Sequence, residues 1–304
     1  MTPVEHTARA LERLQIPTAL REPLKNHTTF RIGGPAAIFA TPNTARQFFE
    51  AVATVRNTGL PFLVLGKGSN ILFEDGGYPG LILCTEGLDA ITVQENEVVA
   101  GAGADLTAVC EAACAAGLAG MEFACGIPGS VGGAVYMNAG AFGGEVRDVL
   151  KEASVLDDAL RICPLDAEGL ELNYRHSVLQ TRPWVVLSAR FALAPGNRND
   201  IRAHMDEILR RRAEKQPLDK PSAGSAFKRP PGAFAGALIE QCGLRGYRVG
   251  GAAVSEKHCG FIVNMGGATS GDVLALVDHI VNTVHAKTGI TLEKEFRVVG
   301  AGPA

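Results

Sequence analysis

The spacing of apolar positions divides the chain into alternating helical and extended stretches. Residues 5–15 and 45–58 carry apolar side chains at helical spacing; Pro17 ends the first, while Thr44 caps the second and Gly59 stops it. PFLVLG at 61–66 is a short apolar run with a glycine stop, the pattern of a buried strand. ITVQENEVVAGAG (91–103) predicts a hairpin turning at Glu95-Asn96, and EASVLDDALRICPL (152–165) a second turning at Asp157-Asp158. A helix follows the first hairpin over 105–117, and WVVLSARFALA (184–194) reads as a long strand. PGNRND (195–200) is rich in turn formers and reads as a linker; after it come a charged helix over 201–215 and a Pro-rich patch at 217–232. Ser270 or Thr269 caps a last helix to about Lys287, Gly289 stops it, and FRVVG (296–300) forms a final strand. The pattern is α+β without internal repeats. It divides into a first part, 1–197, with halves of about 1–80 and 81–197, and a smaller part, 198–304.

Composition sharpens this picture at a few points. The 304 residues are roughly twice a usual domain of about 150, and 46% hydrophobic with 20% charged residues is ordinary for a globular protein. Glycine is in excess, 36 of 304 or about 12% against a usual 7%, without a three-residue period. A net charge of −3 and 6% aromatic residues argue against nucleic acid as the main ligand. The seven cysteines are odd in number, form no C-x-x-C pair and sit mostly in apolar runs, the usage of a reduced, cytoplasmic chain. The N-terminus has acids and no apolar core of a signal peptide, and no window approaches about 18 uninterrupted apolar residues, so no membrane span is expected. No His/Cys ligand spacing occurs, and no metal is expected.

The glycines concentrate in two loops. One is Gly66-Lys67-Gly68-Ser69-Asn70, directly after the 61–65 strand; the other is Gly126-Ile127-Pro128-Gly129-Ser130-Val131-Gly132-Gly133, continuing to Asn138-Ala139-Gly140. Backbone without Cβ atoms can approach a diphosphate and aim several N–H groups at it, although glycines also serve turns and tight packing. Neither loop completes G-x-G-x-x-G, and no G-x-x-x-x-G-K-[ST] occurs, which disfavours a dinucleotide Rossmann site and a P-loop. A diphosphate held in another geometry stays open.

NHTTFRIGGPA (26–36), LGKGSNIL (65–72), GIPGSVGGAVYMNAGA (126–141), YRHS (174–177), GSAFKRP (224–230) and LEKEFRVVG (292–300) occur in one order. With these motifs the chain resembles the UDP-N-acetylenolpyruvoylglucosamine reductase family over about residues 20–300. The resemblance implies a two-part FAD-binding domain of the vanillyl-alcohol oxidase type over 1–197 and a smaller α+β substrate-binding domain over 198–304. Both glycine loops, 66–70 and 126–140, are then FAD contacts, with FAD held non-covalently although His27 is the residue to consider for a covalent link. It further implies reduction of UDP-N-acetylglucosamine enolpyruvate to UDP-N-acetylmuramate in bacterial peptidoglycan precursor synthesis. NADPH is the co-substrate, the hydride leaves flavin N5, and Ser225 supplies the proton.

Reducing an enol ether beside a carboxylate calls for a cation on the carboxylate, a positioned acid and a group for the developing enolate. Arg175 has the guanidinium fork for the first role, although a surface arginine after a strand is the alternative. Ser225 matches the family's proton donor; by itself, a serine between Gly224 and Ala226 is a turn residue. Glu293 and Glu295 share one face of an extended run, so pattern leaves both open, and the family register selects Glu295. Tyr174, Lys215 and Asn264 are candidates for substrate, while Lys215, Lys228, Arg229 and Arg245 make the second part locally basic. Cys125 and Cys259 read as buried thiols rather than nucleophiles. Only about 50 residues separate Arg175 from Ser225, which resembles the family's compact class lacking an inserted, tyrosine-bearing loop. Rival readings are an FAD oxidase that ignores UDP-sugars and a nucleotide-binding module without turnover.

Overall fold

Both predicted hairpins form and belong to one antiparallel sheet. A computed structural model describes residues 1–300 and divides the chain into two units. The first comprises Met1–Leu20, Ile38–Lys67 and Gly80–Arg211; the second comprises Arg21–Ala37, Gly68–Pro79 and, among the described residues, 212–300. In the first, five strands run in the order Ile162–Leu165, Leu150–Leu156, Val185–Ala192, Glu97–Gly101, Ile91–Gln94. Val98 faces Phe191 and Ala100 faces Ala189 in register, and all four are buried. The other face carries Glu97, Glu152 and Arg190, whose guanidinium bonds Glu97 at 2.9 Å and Glu152 at 3.2 Å. One apolar and one charged face give the strands their alternating pattern.

Helices add to the core of this unit, and their caps and stripes agree. Asp105 Oδ1 accepts from the N–H groups of Thr107 (2.8 Å) and Ala108 (3.2 Å), opening the helix Leu106–Ala115. Thr44 Oγ1 accepts from the Gln47 N–H at 3.1 Å at the head of Ala45–Thr58, and Gly59 ends that helix in the left-handed conformation. Phe48, Ala51, Val52 and Val55 on its inner stripe are fully buried. The strand Phe62–Leu65 pairs in parallel with residues 81–84, a continuous buried apolar run.

Two sequence expectations change here. PGNRND is no open linker: Ala194–Pro195 bridges Leu118–Ala119, and a helix begins at Arg198. Asn197 Oδ1 accepts from the N–H groups of Asn199 (2.8 Å) and Asp200 (3.4 Å), because residues that form turns also cap helices. The second glycine loop contains a helix, Val131–Met137, started by Ser130 and ended by Asn138 in the left-handed region. Gly132 and Gly133 suppressed that helix signal.

The second unit has its own core. Its sheet runs Ser222–Ser225, Phe261–Asn264, Ala252–Val254, Arg248–Val249, all antiparallel. The helix Ser270–Thr288 buries Val273, Leu276, Val277, Ile280 and Val284 in this core. Two excursions join it: Ile71–Phe73 pairs in parallel with Arg297–Val299, and Phe30 meets Phe296 edge to face at 6.3 Å. Among the described residues no helix is long and apolar enough to cross a membrane, and no group of three or more His, Cys, Asp or Glu side chains is placed to hold a metal ion. None of the seven cysteines forms a disulfide; burial pushes the Cys84, Cys110 and Cys259 thiols up, and for Cys259 it outweighs the nearby Arg245.

Asp272 closes the capping box of the last helix and also accepts from the Gly251 N–H at 3.1 Å. Backbone bonds from Thr269 and Gly251 hold its carboxyl below 3.8, its ordinary value. A pKa lower in the folded state means stability present above the unfolded value and lost as pH falls through the folded one. Asp272→Ala is expected to lower the urea midpoint at pH 7, with the gap to the parent narrowing as pH falls toward and below 3.8. A gap independent of pH would assign the effect to the helix stripe instead.

Candidate active site

In the first unit, backbone packing brings the start of the first glycine loop, Gly66-Lys67, against the second. A Cβ on Gly66 would collide with Ser130 Oγ, and one on Gly132 would lie 3.0 Å from the Ala102 Cβ. The amides of Val131 and Gly132 donate to Ala104 O (3.0 Å) and Ala102 O (2.8 Å), seating the loop on the end of the strand Glu97–Gly101. Gly126 has φ 74° and donates to Thr107 Oγ1 at 3.2 Å, while Leu106 N–H donates to Gly129 O at 3.1 Å. Ile127 and Pro128 thus pass the head of the helix that Asp105 caps. The same aspartate bridges Ser130 and lies 3.8 Å from Lys67 Nζ. Asp105 was not singled out in the sequence; its only local signal was that of an N-cap. Two glycine-rich turns converging beside a lysine suit an extended diphosphate, so these residues fit FAD.

The second loop continues into a left-handed cluster. Asn138 is fully buried with φ 42°; its amide donates to Asn173 O at 3.0 Å and accepts from Arg147 N–H at 2.9 Å. Asn173 and His176 pair to make the turn that carries Tyr174 and Arg175. Arg175 itself has φ 53°, strain that a non-glycine residue tolerates only where its surroundings enforce it. Enforcement comes from Gln180 Nε2, which donates to Arg175 O at 3.0 Å, and from Ser177 Oγ, which donates to Tyr136 O at 2.6 Å. The guanidinium donates to Gly140 O at 3.1 Å, next to Ala139, and lies 5.2 Å from the centroid of the half-exposed Tyr174 ring. Asn138, Gly140, Tyr174 and Arg175 are therefore one constellation. Gln180 belongs to it without any sequence signal.

In the second unit, Ser225 and Glu295 occupy paired segments. Ser222 faces Val263 and Ser225 faces Phe261, so the first strand has one residue more than its partner, a bulge. Gly224 supplies its φ of 76°, and Ala226 N–H then donates to Gly260 O at 2.8 Å. Glu295 N–H donates to Ala226 O at 3.0 Å and Lys228 N–H to Glu293 O at 2.8 Å, bringing 293–295 alongside 226–228. The two acids separate: Glu293 is exposed and bonds Lys228 Nζ at 2.5 Å, whereas Glu295 is half-buried one residue from Ser225's level. Asn70 accepts Arg297 N–H at 3.0 Å and donates to Glu295 O at 3.2 Å. Gly68 has φ 61°, and a Cβ there would strike His27 O; Ser69 lies between these two residues. His27 itself bonds Glu22 at 2.9 Å, which holds the Glu22 carboxyl down. Lys215 is exposed at the end of its helix. Asn264 is buried, donating to Phe30 O at 3.1 Å and accepting from Gly266 (2.9 Å) and Ala268 (3.2 Å) N–H groups.

Comparison with known proteins matches both parts of the chain. Residues 36–160 match a model described as an FAD binding domain, and residues 216–299 match the C-terminal domain of UDP-N-acetylenolpyruvoylglucosamine reductase. A protein named UDP-N-acetylenolpyruvoylglucosamine reductase from Caldanaerobacter subterraneus subsp. tengcongensis is 46% identical over 281 residues, 92% of this chain and 93% of its own. One of the same name from Lachnoclostridium phytofermentans is 49% identical over 284 residues, 92% of each chain. The solved UDP-N-acetylenolpyruvylglucosamine reductase of Thermus caldophilus has a TM-score of 0.79 and 37% identity, covering 93% of this chain and 98% of that one. A carbohydrate oxidase from Microdochium nivale shares the fold alone, with a TM-score of 0.51 and 14% identity over 62% of this chain and 43% of that one. The expected fold class, an FAD-binding domain of the vanillyl-alcohol oxidase type with a smaller α+β domain, is the one found.

Because Gly66 lies against Ser130, Gly66→Ala should destabilise the protein by about 1–3 kcal/mol. Ser130→Ala should cost about 1 kcal/mol as a lost cap. The double variant should be less destabilised in urea than the two losses summed, because removing Oγ makes room for the new methyl. Strict additivity would mean that the two loops do not constrain each other.

Proposed function

The chain belongs to the UDP-N-acetylenolpyruvoylglucosamine reductase family, and on that premise we propose that it reduces UDP-N-acetylglucosamine enolpyruvate to UDP-N-acetylmuramate. The observation that carries this reading is the pairing of 225–228 with 293–295, which sets a hydroxyl and a carboxylate on neighbouring segments. Residues 66–70, 126–133 and 138–140 would hold FAD, within a domain 1–197; the substrate domain is 198–304. The matches at 36–160 and 216–299, one on each side of residue 197, support that division. FAD, when bound, supplies a hydride from N5 to the terminal carbon of the enol ether, with NADPH as its source.

The chain's own residues do the rest. Arg175 holds the substrate carboxylate, where a planar fork fixes orientation and offsets the charge that develops beside it. Ser225 delivers a proton to the adjacent carbon. The bulge at Gly224 places the serine hydroxyl for that delivery, and Glu295, when it carries its proton, donates to the charge developing on the enolate. Tyr174 and Lys215 contact the nucleotide sugar. Asn264 orders the turn 265–268 and has one N–H left for a ligand. The proposed setting is the cytoplasm, in supply of peptidoglycan precursors for wall growth, cell shape and division.

The test is the visible spectrum of the purified protein, followed anaerobically. Yellow protein should bleach with NADPH and recover its colour on adding UDP-N-acetylglucosamine enolpyruvate. In Ser225→Ala, bleaching by NADPH should stay within about threefold while recovery slows by at least about 100-fold. Equal slowing of the two half-reactions would remove Ser225 from proton delivery, and parent protein indifferent to the UDP-sugar would overturn the function.

A further inference from the structure

Thr29 lies in the excursion 21–37 of the second unit and occupies a junction that neither its motif nor its neighbours explain. Its N–H donates to Gly68 O at 3.2 Å, and its hydroxyl donates to Ser222 O at 2.7 Å, 193 positions along the chain. Gly68 opens the part of the first glycine loop that lies in this unit, and Ser222 opens the strand that ends in Ser225. That strand is at the edge of its sheet, and its ladder with Phe261–Asn264 is interrupted by the bulge. An edge strand four residues long with a broken ladder has few bonds to fix its register, so a tie on its outer side carries weight. The same loop reaches the other acid. Asn70, two residues after Gly68, donates from its side chain to Glu295 O at 3.2 Å and accepts from Arg297 N–H at 3.0 Å.

We propose that Thr29 is a positioning residue for proton delivery, fixing the Ser225 strand against the loop 68–70 that also holds Glu295. This rests on the functional reading above. Because the loop is bonded directly to the Glu295 segment and, through Thr29, to the Ser225 strand, its placement and that of the two proton-handling residues are one mechanical element. A hydroxyl displaced by an ångström from the carbon it serves loses about 100-fold in rate, whereas a step that needs no proton from it does not register the displacement.

The test compares Thr29→Val, which keeps shape and removes the donor, with Thr29→Ser, which keeps the donor. For Thr29→Val we expect NADPH bleaching within twofold of the parent and recovery by UDP-N-acetylglucosamine enolpyruvate slowed about 10- to 100-fold. Thr29→Ser should recover within about threefold of the parent rate. Equal slowing of both half-reactions, no slowing, a serine variant as slow as valine, or a valine variant that fails to fold each overturns the proposal in favour of a merely structural tie. Parent protein that bleaches but never recovers with this substrate overturns the functional reading and the proposal together, and is thereby distinguished from failure of the proposal alone.

Discussion

The candidate site depends on the absence of a Cβ at two positions of one short stretch of backbone. At Gly66 the main chain lies against Ser130, and at Gly68 against the carbonyl of His27, so a Cβ at either position would displace something within its own unit. The cost of this arrangement is conformational: glycines lose more freedom on folding than any other residue, roughly 0.5–1 kcal/mol relative to alanine. What offsets it lies immediately downstream. Leu72 and Phe73 are fully buried and their strand pairs with Arg297–Val299, anchoring the loop by apolar burial worth about 1.5–3 kcal/mol per side chain. A mobile-looking sequence is thereby held by its neighbours.

Charge contributes placement more than stability. The ion pairs of Arg190 with Glu97 and Glu152, of Arg210 with Glu207 and of Lys228 with Glu293 involve partly or well-exposed groups. Such pairs are worth about 0–1 kcal/mol each. Around the candidate site the ordering bonds run instead to backbone: Asn138 to Asn173, Gln180 to Arg175, Asn70 to Glu295, Thr29 to Ser222. Backbone partners do not titrate and have no rotamers to lose, so a geometry built from them survives changes of pH and salt that would loosen an ionic scaffold.

What was legible in the sequence follows from whether the signal is local. The helix Ala45–Thr58 has its cap, stripe and terminal glycine within one window, and both hairpins carry their turns between alternating runs. The fold class was legible for the same reason, and the motif order added the family. The excursions 21–37 and 68–79 were not, because Phe30, Ile32 and Leu72 reach a core formed about 150 or more residues later and show no periodicity of their own. The helix Val131–Met137 was hidden by its two glycines, and the one at Arg198 by an asparagine that reads equally as a turn. Glu293 and Glu295 were inseparable by alternation, yet packing exposes one beside Lys228 and half-buries the other.

The same distinction bears on what polar residues in a motif are for. An asparagine amide offers two donors and an acceptor with two lone pairs. In Asn264 one donor and both lone pairs are engaged by backbone, and in Asn138 one of each, with the side chain fully buried. Residues so engaged can add at most one or two bonds to a ligand, but they decide where the exposed groups around them stand. Asn138 fixes the turn that presents Tyr174 and Arg175, while Asn264 fixes the segment of Phe30, next to Thr29. These two motif asparagines thus act on backbone far along the chain, Asn138 on the turn 173–176 and Asn264 on the segment of Phe30 and the turn 265–268, each within its own unit.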